Sequence, residues 1–450
     1  MIPVVTPAEM GAIDRAAPEP VEVLVGRAGG AVARAALELL GGAYGRRVVV
    51  LAGKGNNGAD GREAARRLRA RGAAVTVVDA LDAPPRLGSC DLVVDAAFGT
   101  GFRGTYRAPE LDGDPLVLAV DIPSGVDGLT GAVAERVLAA DRTVTFAALK
   151  PGLLLPPGAQ LTGTIEVADI GLDTSGARAQ LVGDADVASW YPRRPADAHK
   201  WQAAVWVIGG SPGLEGAAAL VAGAALRAGA GYVRWSAPGG VPAIAKPLEV
   251  VTTALPEVGW AQAVLAEQHR FASIVVGNGL GVDPSTGTEL RQLVAGAQVP
   301  VVVDADALTL LGDRVAEVVG PRTVLTPHDG EFARLAGAPP GPDRFAAVRE
   351  LAARAGAVVL LKGPCTLVAE PTGRVLASTS GDARLATLGT GDVLAGVVGA
   401  LCARGLDPFR AAALGAFLHG RAGDLGWRHG LVAGDLLEAI PAVLQQLVGD

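Results

Sequence analysis

Arg47-Val48-Val49-Val50-Leu51-Ala52-Gly53-Lys54-Gly55-Asn56-Asn57-Gly58-Ala59-Asp60-Gly61 is a β-branched apolar run, then a glycine-rich turn, then the start of a stretch with helical spacing. A short apolar run closed by such a turn predicts a buried strand feeding a helix. The pattern recurs. Strands are expected at 47–52, 74–79, 92–96 and 116–122, then at 204–208, 232–237, 274–277, 299–304, 323–326, 357–362 and 366–369. Helices are expected at 29–40, 60–71, 216–228, 391–403 and 408–424. This alternation implies βαβ units and mostly parallel sheets in α/β layers. The chain has 450 residues, enough for two or three domains. The proline-rich segment Trp190-Tyr191-Pro192-Arg193-Arg194-Pro195 places a boundary within 174–199, and each side has its own strand-end glycine turns.

Composition narrows the function classes. Half the residues are hydrophobic and 19% are charged, so a sizeable core is expected and wholesale disorder is not. The formal net charge is -7 and no Lys/Arg-rich block is present, which argues against a nucleic-acid partner. Cys90, Cys365 and Cys402 are an odd, widely spaced set without a Cys-x-x-Cys, so neither a disulfide framework nor a zinc site is expected. A reduced, cytoplasmic setting fits. The N-terminus has no cationic stretch followed by an apolar one, so no signal peptide is expected. No run reaches the ~18 apolar residues that would span a bilayer, so no membrane partner is expected.

In the first half, the glycines after residue 52 let the backbone turn tightly and approach a ligand closely. The helix that follows offers unpaired N–H groups to an anion. Gly53-x-Gly55-x-x-Gly58 also satisfies the dinucleotide fingerprint, with Asp79 at a later strand end, so a dehydrogenase is one reading. Two more strand ends carry polar turns, Asp95-Ala96-Ala97-Phe98-Gly99-Thr100-Gly101 and Asp121-Ile122-Pro123-Ser124-Gly125. Carboxyl ends of strands in an open α/β sheet meet over one crevice. Asn57, Asp95 and Ser124 would form a hard oxygen site for a cation there, and Asp121 would serve as a general acid/base.

These motifs, with Lys150-Pro151-Gly152, resemble the NAD(P)H-hydrate epimerases over roughly residues 1–175, giving an expected domain at 1–178. The resemblance implies a Rossmann-like three-layer domain and a potassium ion on Asn57, Asp95 and Ser124. It implies substrate contacts at Asn56, Asn57, Gly58, Ala59 and Asp60, at Gly99, Thr100, Gly101, Phe102, Arg103, Gly104 and Thr105, and at Asp121. Ala59 stands where the family usually has glycine.

In the second half, Thr387-Leu388-Gly389-Thr390-Gly391-Asp392 precedes an apolar helix. Glycines with a threonine build an anion hole from backbone N–H groups, and the helix dipole stabilises phosphate charge. Asp392 can accept a hydroxyl proton. Lys362-Gly363-Pro364-Cys365-Thr366 follows a buried run and could hold nucleotide phosphates, and Thr326-Pro327-His328-Asp329-Gly330-Glu331 offers His328 to a ligand.

This half resembles the ribokinase-like superfamily. Within it, the match is closest to the ADP-dependent NAD(P)H-hydrate dehydratases, giving an expected ribokinase-like α/β domain at 185–450. Supporting residues include His199-Lys200 and His419-Gly420-Arg421-Ala422-Gly423-Asp424. The resemblance implies ADP and magnesium, nucleotide contacts at Lys362, Gly363, Pro364, Cys365, Thr366 and Gly391, and substrate contacts at Ala217, Gly279, His328 and Asp392. Trp201 replaces the family's glycine after His-Lys. Gly277-Asn278-Gly279-Leu280-Gly281 stands for its Gly-Pro-Gly-Leu-Gly.

Together the halves imply a bifunctional repair enzyme acting on NADHX and NADPHX, expected as a homo-oligomer. One half would epimerise the R and S hydrates. The other would dehydrate the S form with ADP, giving AMP and phosphate. The competing reading is an ATP-dependent small-metabolite kinase fused to a dinucleotide-binding domain; a dehydrogenase and a non-catalytic dinucleotide sensor are further ones.

Overall fold

The computed structural model describes residues 1–240 and 246–449; Asp450, the last residue of the expected second domain, lies outside the described residues. The chain forms two compact units, Ile2–Ala179 and Gln180 onward.

The first unit is built on β1 (Arg47–Ala52), β2 (Ala74–Asp79), β3 (Leu92–Ala96), β4 (Leu116–Val120), β5 (Arg142–Phe146) and β6 (Thr164–Ala168). They form one parallel sheet in the order β2-β1-β3-β4-β5-β6. Val48, Leu92 and Leu116 lie in one row across it. The central strands read as continuous apolar runs because both faces are covered. One face packs against α2 (Val21–Leu40) and α3 (Asn56–Arg69), whose Ala36, Ala64 and Leu68 are fully buried against Val50, Val94 and Leu118. The other face is closed by loop segments bearing Phe98, Phe102 and Tyr106, whose rings lie 5.0–6.5 Å apart. The short helix α1 (Pro7–Ala16) opens the unit with a Thr6/Glu9 capping box.

Several boundaries differ from the sequence expectation. Helix α2 begins at Val21, not at residue 29, because Gly26, Gly29 and Gly30 sit inside it. Gly29 is needed there for contact: a Cβ at that position would stand 2.6 Å from Glu63 Cβ. Helix α3 starts at Asn56, so Asn56 and Asn57 belong to its first turn and not to the preceding loop. Strand β4 stops at Val120 because Asp121 turns to φ 68°. Strands β5 and β6, whose polar residues hid them, were not anticipated.

The second unit has β7 (Ala204–Ile208), β8 (Tyr232–Ser236), β9 (Val251–Thr252), β10 (Ser273–Val276), β11 (Val301–Val303), β12 (Thr323–Leu325), β13 (Val358–Leu361), β14 (Thr366–Ala369) and β15 (Val375–Ser378). These run in the order β15-β14-β13-β12-β11-β10-β7-β8-β9. The pairings from β9 to β13 are parallel, and β13-β14-β15 is an antiparallel meander. Strand β15 and the last helix (Ala433–Val448) were not anticipated either. Helices α4 (Glu215–Arg227), α6 (Thr390–Ala403) and α7 (Pro408–Leu425) pack over the sheet, and a shorter helix, α5 (Asp329–Ala336), follows β12. Glycines let α6 sit tight: a Cβ on Gly396 would lie 2.3 Å from Val221 O, and one on Gly399 2.4 Å from Val275 Cγ2. Among the described residues, no helix is long and apolar enough to cross a membrane.

Because the Gly396 contact is with backbone, which cannot rotate away, Gly396→Val should destabilise the second unit by about 1–3 kcal/mol or more. Denaturant unfolding followed by tryptophan fluorescence checks this; an unchanged midpoint would refute the packing described for α6.

Candidate active sites

The first unit's site is a cavity of about 660 Å³ at the carboxyl edge of its sheet, lined by Asp14, Asn57, Asp60, Gly99, Thr100, Phe102, Arg103, Asp121 and Lys150, among others. Close backbone approach builds it. A Cβ on Gly53 would meet Ala97 O at 1.9 Å, one on Gly58 would meet Gly53 O at 1.9 Å, and one on Gly99 would meet Asp121 Oδ2 at 2.9 Å. These glycines let the ends of β1, β3 and β4 converge.

Asp121 is the centre of this site. Its Oδ1 accepts from Lys150 Nζ at 2.6 Å and from Thr145 Oγ1 at 3.2 Å, and its Oδ2 from the Thr100 amide at 2.8 Å. Lys150 is 1% exposed, and its Nζ also donates to Thr145 Oγ1 and Phe146 O. Burial pushes the Asp121 carboxyl upward, but the Lys150 charge and these hydrogen bonds outweigh it and hold the group below the ordinary carboxylate range. The left-handed backbone at Asp121 is what turns the side chain off the strand toward them.

Asp60 has the opposite setting. It is buried on the cavity wall, and desolvation, reinforced by the charges of Asp121 and Asp14, pushes it up to about 8. The cavity therefore holds an ionised carboxylate and a protonated carboxylic acid at neutral pH.

Of the three oxygen residues expected to hold a cation, Asp95 and Ser124 are joined directly. Asp95, fully buried, accepts the Ser124 amide on Oδ2 at 2.9 Å; Ser124 Oγ accepts from the Phe98 amide at 2.9 Å and donates to Phe98 O. Both amide atoms of Asn57 and the hydroxyl of Thr100 are buried without a partner among the described residues. An orphaned buried amide oxygen on Asn57, with the carboxylate of Asp95 and the hydroxyl of Ser124, is a donor set whose chemistry fits a potassium ion. Of the other expected contacts, Gly101, Phe102, Arg103 and Gly104 line or border the mouth, Ala59 and Thr105 are partly or fully exposed, and Arg103 Nη1 lies 3.9 Å from Asp127.

In the second unit, the 389–392 turn opens α6. Gly389 takes φ 89°, and Thr390 Oγ1 ties the turn to Leu385 O and Thr387 O. The helix's first N–H groups have no intrahelical acceptor and face an incoming anion. Lys362 Nζ lies over the turn, 3.5 Å from where a Cβ on Gly391 would stand, an ordinary contact distance. Lys362 Nζ pairs with Asp304 Oδ1 at 2.6 Å. Burial lowers its proton affinity, but Asp304 and Glu331 more than offset that, so it stays charged. Arg344 braces the 362–366 turn by donating to Lys362 O and chelating Asp329. The Cys365 side chain is buried, so a nucleotide could meet that residue only through its backbone.

Asp392 stands at the entrance of α6, pushed up to about 6 chiefly by burial, against which an Asn278 hydrogen bond works. His328 caps α5: its Nδ1 accepts from the Gly330 and Glu331 amides, while Nε2 of the exposed ring lies 3.6 Å from Glu331 Oε1. Ser211 donates to Gly279 O through its amide and to Leu280 O through its hydroxyl, joining the 209–213 and 277–281 turns, and Ala217 lies in the first turn of the helix that follows, α4. His419, buried under Thr390, is held neutral by desolvation, at about 4.

The chain is 39% identical to the bifunctional NAD(P)H-hydrate repair enzyme Nnr of Moorella thermoacetica, covering 98% of this chain and 97% of that one. It is 37% identical to the Salinibacter ruber enzyme of the same name, covering 100% and 97%. The chain belongs to the bifunctional NAD(P)H-hydrate repair enzymes. Within this repair-enzyme family, residues 205–443 match the NAD(P)H-hydrate dehydratase model and residues 21–89 and 79–152 the YjeF-related protein N-terminus. The second unit resembles the Bacillus subtilis ADP/ATP-dependent NAD(P)H-hydrate dehydratase co-crystallised with ATP and Mg2+, with TM-score 0.51, 30% identity, and 59% of this chain and 97% of that chain covered. It shares its fold with a ribokinase-like superfamily protein of Enterococcus faecalis, with TM-score 0.53, 22% identity, and 61% and 98% covered.

Three features of this repair enzyme escaped the motif reading. Lys150 was legible only as part of a Lys-Pro-Gly pattern, Asp60 only as a contact residue, and Asp304, which joins Lys362 to Asn278, not at all.

Two predictions follow from charge burial. Lys150→Met strands a buried carboxylate and should cost about 3–5 kcal/mol, while Lys150→Met with Asp121→Asn should recover much of it; equal losses in denaturant midpoints would refute the pairing. For Asp60, the folded state keeps a proton that the unfolded chain releases near pH 4, so its contribution to stability falls as pH rises from about 4 toward about 8. Asp60→Asn should flatten that decline; unfolding midpoints across the window decide it.

Proposed function

We propose that residues 1–178 epimerise the R and S hydrates of NADH and NADPH. Residues 185–450 then dehydrate the S hydrate with ADP, releasing AMP and phosphate. The observation that carries the second reaction is Asp392, a carboxylate poised at about 6 beside a helix entrance and a charged lysine. A base works best with a pKa near the working pH.

In the second unit, Asp392 takes the proton of the substrate's ring hydroxyl as that oxygen attacks the β-phosphorus of ADP. The bond to AMP breaks. Lys362 and the N–H groups of α6 hold the transferring charge. Hydroxide, a poor leaving group, has become phosphate. The ring nitrogen's electron pair expels it, and loss of the neighbouring carbon's proton restores the dihydronicotinamide. Magnesium, when bound with the nucleotide, would neutralise phosphate charge. The 362–366 turn and Gly391 would contact the nucleotide, and Ala217, Gly279 and His328 the substrate.

In the first unit, the substrate carbon bears both a hydroxyl and the ring nitrogen. Asp60, protonated, donates to the departing hydroxyl, and the planar carbon that results can take water on either face. Asp121, ionised, accepts the proton of the returning water. The residues at 56–60 and 99–105 would enclose the nicotinamide. Asn57, Asp95 and Ser124 would hold potassium, which supplies fixed positive charge to orient the site.

Incubating the protein with NADHX and ADP, and following the return of NADH absorbance, tests the assignment. Asp392→Asn should lower ADP-dependent recovery at least ~10²-fold and leave R-to-S exchange intact; Asp121→Asn should do the reverse. Equal loss of both activities in a folded variant would refute the two-site division. Recovery with ATP but not ADP would overturn the nucleotide assignment, and a stable phosphorylated product would favour a kinase. Replacing potassium with tetramethylammonium should slow epimerisation while pure S hydrate is still dehydrated.

A further inference from the structure

Asn278 occupies a position that the sequence pattern of the dehydratases gives to proline. It sits just past β10, 1% exposed, in a turn that glycine makes possible: Gly277 takes φ 123°, and a Cβ there would lie 2.0 Å from Asp304 O. The Gly210 amide donates to Asn278 O at 3.0 Å and fixes the backbone. The side chain is fixed as firmly. Its Nδ2 donates to Asp304 Oδ2 at 2.9 Å and to Asp392 Oδ1 at 2.6 Å. Asp304 in turn accepts Lys362 Nζ at 2.6 Å and Thr326 Oγ1 at 2.8 Å on its other oxygen. Both amide hydrogens are spent on carboxylates, and Oδ1 is left buried without a partner. An orphaned carbonyl costs about 1–3 kcal/mol, so the amide's placement is dictated by the two carboxylates it serves.

We propose that Asn278 is a positioning residue for the dehydration, which holds the Asp392 carboxylate toward the substrate hydroxyl and insulates it from Asp304. The proposal rests on the reading of Asp392 as the base. Its physical logic is simple. Asp304 and Asp306, after β11, raise the proton affinity of Asp392; Lys362, after β13, lowers it and is itself shared with Asp304 and Glu331; His419, from α7, is neutral. Asn278 supplies the hydrogen bond to the ionised carboxylate, which favours the charged, competent form. A proline side chain has no donor and could do neither task.

The test is the pH profile of ADP-dependent NADHX recovery in wild type, Asn278→Ala and Asn278→Asp. The proposal expects Asn278→Ala to move the acid limb upward by about one unit and to lower kcat about 10- to 100-fold, the cost of a misplaced group, with KM for ADP within twofold. Asn278→Asp keeps the shape but loses donors to two carboxylates, and should shift the limb further. R-to-S exchange should be unchanged in both, and a KM for ADP within twofold of wild type reports a folded second unit. An unmoved acid limb, or a rise in KM for ADP at constant kcat, overturns the proposal. Because recovery depends on the functional reading, Asp392 is also titrated directly by the 13Cγ shift of [13C]Asp-labelled protein, assigned against Asp392→Asn. If wild type shows no ADP-dependent recovery, that reading falls, while an upward titration shift in Asn278→Ala still supports, and an unmoved one still refutes, the role given to Asn278.

Discussion

Lys150 carries a positive charge into a space 1% open to water, and it is tolerable there only because Asp121 lies 2.6 Å away. Each group answers the other's desolvation cost, and neither would be stable alone. The pair needs Asp121 to leave its strand in a left-handed turn, which points the carboxylate at Lys150 on one side and at the Thr100 amide on the other. That amide belongs to the 98–105 loop, and the loop passes so close that only glycine fits at residue 99. The cavity wall, the loop path and the charge of the site are thus consequences of one buried ion pair.

The same device recurs in the second unit, where Lys362 lies 2.6 Å from the buried Asp304 at the end of β11. Here too a lysine is drawn to a strand end by a carboxylate. Parallel sheets bring their carboxyl ends to one edge, so residues far apart in the chain meet there. Two unrelated binding chemistries have been placed on that same architectural feature.

That architecture explains what could be read from the chain before its structure. The strand-end turns at 53–61, 95–101, 121–125, 362–366 and 389–392 were legible because each is a local pattern: an apolar run, then glycine and polar residues. What was not legible was pairing across the sheet. Asn278 and Asp392 are 114 residues apart, and Lys150 and Asp121 are 29 apart. Nothing local marks either pair, since they meet only through strand order. The long start of α2 was missed for a different reason. Gly26, Gly29 and Gly30 look like a break by propensity, but the contact of α2 with α3 requires at least one of them, and tertiary packing overrides the local preference.

The two carboxylates proposed to move protons differ in how their lysine reaches them, and the difference suits their tasks. Asp121 touches Lys150 directly and is held firmly ionised, so it is a weak base, adequate for receiving a proton from water that adds to an already activated carbon. Asp392 must instead pull a proton from an alcohol as phosphorus is attacked. A carboxylate clamped to lysine would be too feebly basic for that, by Brønsted reasoning. Its lysine is two residues removed: Lys362 binds Asp304, Asp304 binds Asn278, and Asn278 binds Asp392. A neutral amide passes on orientation and a single hydrogen bond without passing on a full charge. Asp392 is thereby oriented by a hydrogen bond while remaining near 6, where it is both largely ionised at neutral pH and still worth protonating.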